Sequence, residues 1–282
     1  MKVRILTIAV VLLALGFALA GPVAATTIHA QFMSVRPAVG VTIHMRGHIG
    51  ATPYSEDAGT QVGTYRFYAE TSDFPEIDPG SYYGTNCFEQ QNVSYGGWYD
   101  YTVQTNLTAA PIPVSPYVNP DDSVAANCGH LSTNQVDLLK KLFARNANAL
   151  WYAPDSTDID PSGLIDPVGR VAIQLAVWEI AWEHTESPGN LTSPSGSFWV
   201  TDIGSSYISR AEAMLGNLGP WTSTTEQNNA PTLYAFTADG NQDQLWLIPG
   251  GGGPPVPEPL TMMGMFLGLG SLGAYIRKRR MA

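Results

Sequence analysis

The chain has 282 residues, with 14 Lys plus Arg against 24 Asp plus Glu, a formal net charge of −10, and 44% hydrophobic residues. Seven Trp, 13 Tyr and nine Phe exclude a disordered polyanion, and an acidic chain with no basic stripe makes no nucleic-acid interface. Two cysteines, Cys87 and Cys128, build neither a disulfide-dense scaffold nor a four-Cys zinc site.

Residues 1–25 read as a secretory signal peptide. Lys2 and Arg4 give a positive start, Ile5 to Leu19 is apolar, and Ala18-Leu19-Ala20 is a small-x-small cleavage site, with Val23-Ala24-Ala25 as the second choice. The competing reading is an uncleaved anchor helix; on either reading the chain leaves the cytoplasm. The next hundred residues look β-rich. Val41-Thr42-Ile43-His44-Met45 alternates as a half-buried strand does, and Val62 to Glu70 and Trp98 to Val103 are dense in Tyr, Phe and Thr. Pro and Gly clusters near 78–84 and 111–122 punctuate them.

The middle turns helical. Ser132 with Gln135 is a capping-box pattern, after which Val136, Leu139, Phe143, Ala147 and Leu150 recur at steps of three and four. A second helix starts at Asp166 with Pro167 in its first position, and runs through Val168, Ile173, Ala176, Val177, Ile180 and Ala181. A third covers about Tyr207 to Leu218 and stops at Gly219-Pro220. Thr232 to Thr237 and Gln244 to Ile248 then frame a turn at Asp239-Gly240, a hairpin signal. Strands, helices, strands in that order predict an α+β fold: one exported domain over 26–249, a β-rich barrel or sandwich with an inserted helical subdomain.

A Gly/Pro linker over 250–255 follows. Val256-Pro257-Glu258-Pro259 then leads into 260–276, a run of 17 residues without charge, and into Arg277, Lys278, Arg279 and Arg280. Such a run is near the lower limit for a helix crossing a bilayer core, and cations directly after it favour the cytoplasmic side. These three parts, in this order at the C-terminus, resemble the PEP-CTERM sorting signal of Gram-negative bacteria. The resemblance covers 256–282 and implies a transmembrane helix that anchors the chain transiently in the inner membrane. It also implies processing by an exosortase near the Pro-Glu-Pro, and delivery to the envelope, the outer surface or extracellular polymer. A plain tail anchor is the alternative. The two ends hold six cations and one acid, so 26–250 keeps 8 Lys plus Arg against 23 Asp plus Glu, a net of −15. Such a surface stays soluble and repels anionic polymers.

Three segments carry possible chemistry: Asn86-Cys87-Phe88-Glu89, Ile173-Gln174-Leu175-Ala176-Val177-Trp178, and Gln242-Asp243-Gln244-Leu245-Trp246-Leu247. Together they resemble the thioester (TQxA) domains of bacterial surface proteins over about 85–249. Ile173 stands where the family has Thr, Asn86 where an aromatic is usual, and neither Gln242 nor Gln244 has an apolar residue before it. The resemblance implies that Cys87 attacks the side-chain amide of Gln244 or Gln242, ammonia leaves, and an internal Cys–Gln thioester links two strands. It gives Gln174 a supporting role, with Trp178, Phe88 and Glu89 beside it. A thioester of this kind would capture one surface amine or hydroxyl in an adhesive or matrix-linking step, so the chain is expected to be no enzyme and to need no cofactor.

A second reading competes for Cys87. In an oxidising envelope a Cys87–Cys128 disulfide would add about 4 kcal/mol in the chain-entropy model. The chain would then be a non-catalytic structural or polysaccharide-binding protein, with the aromatics of Tyr95 to Tyr101 stacking on sugars. A thioester fold with two free thiols is a third possibility. Glu179 and Glu183, one helical turn apart, are weighed as a hydrolytic acid/base pair against a solvated face, and His184 near the helix end as a dipole partner. His29, His44 and His48 lack metal-ligand spacing, and Asp155, Asp158 and Asp160 lack the Gly and closing Glu of a calcium loop. No Gly-x-Ser-x-Gly, P-loop or dinucleotide fingerprint is present.

Overall fold

The computed structural model describes residues 25–49, 52–88, 94–110, 131–146, 166–182, 189–238 and 243–248. The signal peptide, the linker, the sorting signal with its apolar run, and Glu89, Cys128, Gln242, Glu183 and His184 lie outside the described residues, as do the Asp155–Asp160 loop and the Asp239-Gly240 turn. Among the described residues no helix is long and apolar enough to cross a membrane.

The described residues form seven strands: β1 (Thr27–Ile49), β2 (Thr52–Ser72), β3 (Tyr82–Cys87), β4 (Trp98–Gln104), β5 (Phe198–Thr201), β6 (Thr232–Thr237) and β7 (Gln244–Ile248). Four helices accompany them: α1 (Thr133–Arg145), α2 (Pro167–Trp182), α3 (Ser205–Gly216) and α4 (Thr224–Asn228). The fold is α+β, as the sequence predicts, and the helices with β5 fall in one stretch between β4 and β6.

All strand pairings are antiparallel. The sheet runs β2-β3-β7-β6-β4-β1-β5, and β2 also pairs with β1, so six strands close into a ring with β5 added on the far half of β1. β1 and β2 make a long hairpin whose register shifts three times, at His29/Ala30, Phe32/Ser34 and Arg36/Val39. These irregularities divide the work of β1. Thr27–Gln31 pairs with β4, and Thr42–Met45 pairs with β5. Gly63 sits beside the last shift with φ +157°, and a Cβ there would lie 2.1 Å from the Pro37 carbonyl oxygen. The two strands can approach this closely only because residue 63 has no side chain.

The register settles what points inward. Ile28 faces Tyr101, Val103 faces Phe236, Phe236 faces Gln244, Gln244 faces Cys87, and Tyr83 faces Phe67, which faces Phe32. Side chains alternate along a strand, so these residues share the inner face of the ring. All are buried, and their rings interlock: Phe67 stacks on Tyr83 at 5.6 Å and meets Tyr101 edge-on at 5.6 Å. Each fully buried Phe or Ile here contributes about 1.5–3 kcal/mol over leaving it exposed.

Helix α2 is buried on every side from Val171 to Trp182, with Gln174 and Glu179 the polar residues in that span. Asp166 Oδ1 accepts from the Gly169 N–H at 2.9 Å, which caps the helix just ahead of Pro167. It packs against α1, α3, β1, β2, β3 and β5. The capping box of α1 is present in full: the Gln135 N–H donates to Ser132 Oγ and the Ser132 N–H to Gln135 Oε1. Gln135 Nε2 also donates to the carbonyls of Ile180 and Ala181 at 2.9 and 3.0 Å. One side chain thus starts α1 and ties it to carbonyls in the last turn of α2.

Candidate functional site

Cys87 is the last residue of β3 and Gln244 the first of β7, and the register sets them directly opposite each other. The Phe88 N–H donates to the Asp243 carbonyl at 3.1 Å. In an antiparallel ladder that makes the adjacent Cys87–Gln244 pair the non-hydrogen-bonded type, in which facing Cα atoms lie about 4.5 Å apart and side chains come closest. Both residues are fully buried and both side chains belong to the inner face.

In such a pair the backbone of Cys87 points away from β7, to the side where β2 would lie. β2 pairs with β3 only through Tyr65–Tyr68 against Thr85–Tyr82, so the ladder ends two residues short of Cys87. Gln174 of α2 fills the place. The Cys87 N–H donates to Gln174 Oε1 at 2.9 Å, and Gln174 Nε2 donates to the Cys87 carbonyl at 2.8 Å. A carboxamide offers one acceptor and a donor pair, so it substitutes for a strand partner at both backbone groups. Gln174 is itself fully buried. The Ile173–Trp178 segment therefore bears on the cysteine through the main chain, which leaves the sulfur to the inner face.

Gln244 is held separately. Thr85, two residues before Cys87 and on the same face of β3, donates from Oγ1 to Gln244 Oε1 at 2.7 Å. Asp243 fixes the chain just before it: its Oδ1 accepts from the Ala238 N–H at 3.0 Å, across the hairpin between β6 and β7. Burial pushes the Tyr101 hydroxyl well above its ordinary value, and the nearby Tyr83, Tyr99, Asp243 and Cys87 add to that. Tyr101 therefore stays a neutral phenol on the inner face at any physiological pH.

The aromatic residues read from the sequence divide between two clusters. Phe88 is fully buried. Trp178 lies one turn beyond Gln174, fully buried, stacked with Trp182 at 6.0 Å and meeting Phe198 edge-on at 6.5 Å. Trp246 stands two residues beyond Gln244 on the same face of β7, packed against Phe74, Tyr234 and Phe236. Ala172, Leu175, Ala176 and Ile180 are core, fully buried.

Other sequence candidates are scattered. Glu179 is buried, and its Oε1 accepts from the Gly189 N–H at 2.9 Å, which braces the chain leading into β5. His29 Nδ1 lies 2.6 Å from Asp100 Oδ1 and its ring stacks on Trp98, whereas His44 Nδ1 lies 2.6 Å from Asp57 Oδ1 and its ring stacks on Trp199. Among the described residues no group of three His, Cys, Asp or Glu is placed to hold a metal ion.

Thr85 is a member of the site that sequence reasoning passes over, and Asp243 was quoted within a segment but given no role; of the aromatics read as sugar-stacking, Tyr99 and Tyr101 are buried in the core, whereas Tyr95 and Trp98 are exposed. The signal for Thr85 was the alternation Tyr83, Thr85, Cys87, visible once β3 is known to end at Cys87. No family model, curated protein or solved structure matches the chain.

The arrangement has the parts that an intramolecular acyl transfer needs: a thiol, a carboxamide on the residue opposite it, a donor on the carboxamide oxygen, and burial from solvent. Both partners are held by neighbours from separate elements, Cys87 by α2 and Gln244 by β3.

Proposed function

We propose that the chain is an exported protein of the envelope or extracellular matrix whose domain forms an internal thioester between Cys87 and Gln244 and uses it for one covalent attachment. The single observation that carries this reading is the facing pair: a buried cysteine opposite a buried glutamine at the closest kind of cross-strand position, with Gln174 hydrogen-bonded to both backbone groups of the cysteine. A buried carboxamide placed opposite a buried thiol costs more than the Val or Leu that could fill the same core positions. The thioester carbonyl would be attacked by a surface amine or hydroxyl, giving an amide or ester at residue 244 and returning the Cys87 thiol.

Export is supported by the N-terminal signal-like segment, and the address by Val256-Pro257-Glu258-Pro259 with its apolar run and the basic end from Arg277 to Arg280. In this reading the apolar run holds the chain in the inner membrane until an exosortase acts on it. The domain then faces a polymer-rich surface in which amines and hydroxyls are abundant.

Nucleophile capture tests the reading. Purified protein is treated with methylamine and mapped by peptide mass spectrometry. The expected result is an N-methylamide at Gln244 together with a newly labelled thiol at Cys87. Methylamide at Gln242, or none with Cys87 joined to Cys128 in unreduced peptides, counts against it.

A further inference from the structure

A primary amide is a poor electrophile, and proximity to a thiol does not change that. If Cys87 and Gln244 react as proposed above, some group must draw electron density from the Gln244 carbonyl. This inference rests on that reading and assigns the group. We propose that the hydroxyl of Thr85 is a catalytic donor: it polarises the Gln244 carbonyl while the thioester forms, and holds the same oxygen when an external amine later attacks.

The geometry supports this in three ways. Thr85 Oγ1 lies 2.7 Å from Gln244 Oε1, the favoured length for an O–H···O bond. Thr85 is 1% exposed and Gln244 fully buried, so bulk water does not compete for the bond, and a dipole in such a site acts far more strongly than in solvent. Thr85 and Cys87 also occupy alternate positions of one strand, facing Gln244 diagonally and directly. The donor and the nucleophile therefore approach the same carboxamide from one rigid element, fixed relative to each other before any chemistry starts. Gln174 acts elsewhere, on the backbone of Cys87.

The step balances without any co-reactant. The sulfur of Cys87 bonds to the carboxamide carbon of Gln244, and the carbon–nitrogen bond breaks. The thiol proton ends on the departing nitrogen, which leaves as ammonia. Thr85 keeps its proton throughout and strengthens its hydrogen bond as the oxygen becomes anionic in the tetrahedral intermediate. In the later step an amine nitrogen bonds to the same carbon, the carbon–sulfur bond breaks, and one amine proton goes to the sulfur.

The test uses the full chain and three forms: unaltered, Thr85→Val and Thr85→Ser. Val keeps the shape and β-branching of Thr without the donor; Ser keeps the donor without the methyl group. Loss of ammonia is followed by intact mass after refolding, and reaction with methylamine by release of the Cys87 thiol. The infrared carbonyl stretch of the thioester is recorded alongside. For Thr85→Val at matched thermal stability, both reactions are expected to slow on the order of 10²-fold, and the carbonyl stretch to move to higher frequency. Thr85→Ser is expected to restore the rates and the stretch. Should Thr85→Val fail to fold, Thr85→Ala against Thr85→Ser gives the same comparison. A Thr85→Val protein that reacts at the unaltered rate with an unshifted carbonyl overturns the role of Thr85 while the thioester stands. An unaltered protein that loses no ammonia overturns both.

Discussion

The glutamine of α2 and the glutamine of β7 are both fully buried, yet they have different tasks. Gln174 gives its carboxamide to the backbone of Cys87, whereas Gln244, opposite Cys87 in the register, has its carboxamide oxygen held by Thr85 Oγ1. Replacing Gln174 by Ala leaves an N–H and a C=O buried without their partner, at about 1–3 kcal/mol for each unsatisfied group. Chemical denaturation of Gln174→Ala is expected to show a loss of about 2–6 kcal/mol with an unchanged slope, together with slower loss of ammonia. A stability within a few tenths of a kcal/mol of the unaltered protein would refute the clamp. The sequence segments named Cys87 and Gln174, which the structure joins by hydrogen bonds, and Trp178, which packs with Trp182 and Phe198. Choosing between Gln242 and Gln244 was not possible from the segments alone. Gln242 lies outside the described residues, and it is the pairing of β3 with β7, a contact between distant segments, that sets Gln244 opposite Cys87.

Elements show the same division between local and non-local signals. The capping box at Ser132 and Gln135, the Asp166–Pro167 helix start and the β6–β7 pairing follow from chemistry within a few residues, and all three are in the structure. The full length of β1 was not legible. Its alternation is broken by the shifts around Phe32 and Arg36–Val39, so only Val41–Met45 reads cleanly as a strand. β3 was hidden by Gly84 and the preceding turn, and β5 by its four-residue length. The hairpin predicts its own weak point. At Gly63→Ala the new Cβ would lie 2.1 Å from the Pro37 carbonyl oxygen, so the backbone must move. A destabilisation above about 1 kcal/mol is expected in thermal or denaturant unfolding, and an unchanged midpoint would contradict the described packing.

An ion pair joins α1 to α4. Arg145 Nε donates to Glu226 Oε1 at 2.7 Å while its Nη groups reach the carbonyls of Asn217, Gly219 and Pro220. The Arg145 hydrogen bond, with those from Thr222, lowers the Glu226 carboxyl from 4.5 to about 2. A carboxylate with a depressed folded-state pKa stabilises the fold above its unfolded value and loses that contribution as pH falls through the folded one. Stability should therefore fall between about pH 5 and pH 2, and Glu226→Gln should flatten that part of the profile. Identical acid limbs for the two proteins would remove Glu226 from the account.

For the whole molecule, ring closure matters most. β3 and β7 are distant in sequence, and they meet because β6 hairpins into β7 while β2 and β4 are tied through β1. The helices between β4 and β6 then deliver Gln174 to the one place where β2 stops pairing with β3. On the proposed reading, an acidic domain carrying one internal acyl bond would attach once and stay attached. Fold class was readable from the order of elements, which left barrel and sandwich both open; the choice of a closed ring was not, because it depends on pairings between distant strands.

Intact mass of the exported protein, compared with Cys87→Ala, is the most direct measurement. The expected result is a mass below the sequence value by one ammonia, with the deficit absent from Cys87→Ala and replaced by one methylamine on treatment with that amine. A full sequence mass that methylamine leaves unchanged, or a loss of only two hydrogens that reductant restores, would contradict the thioester.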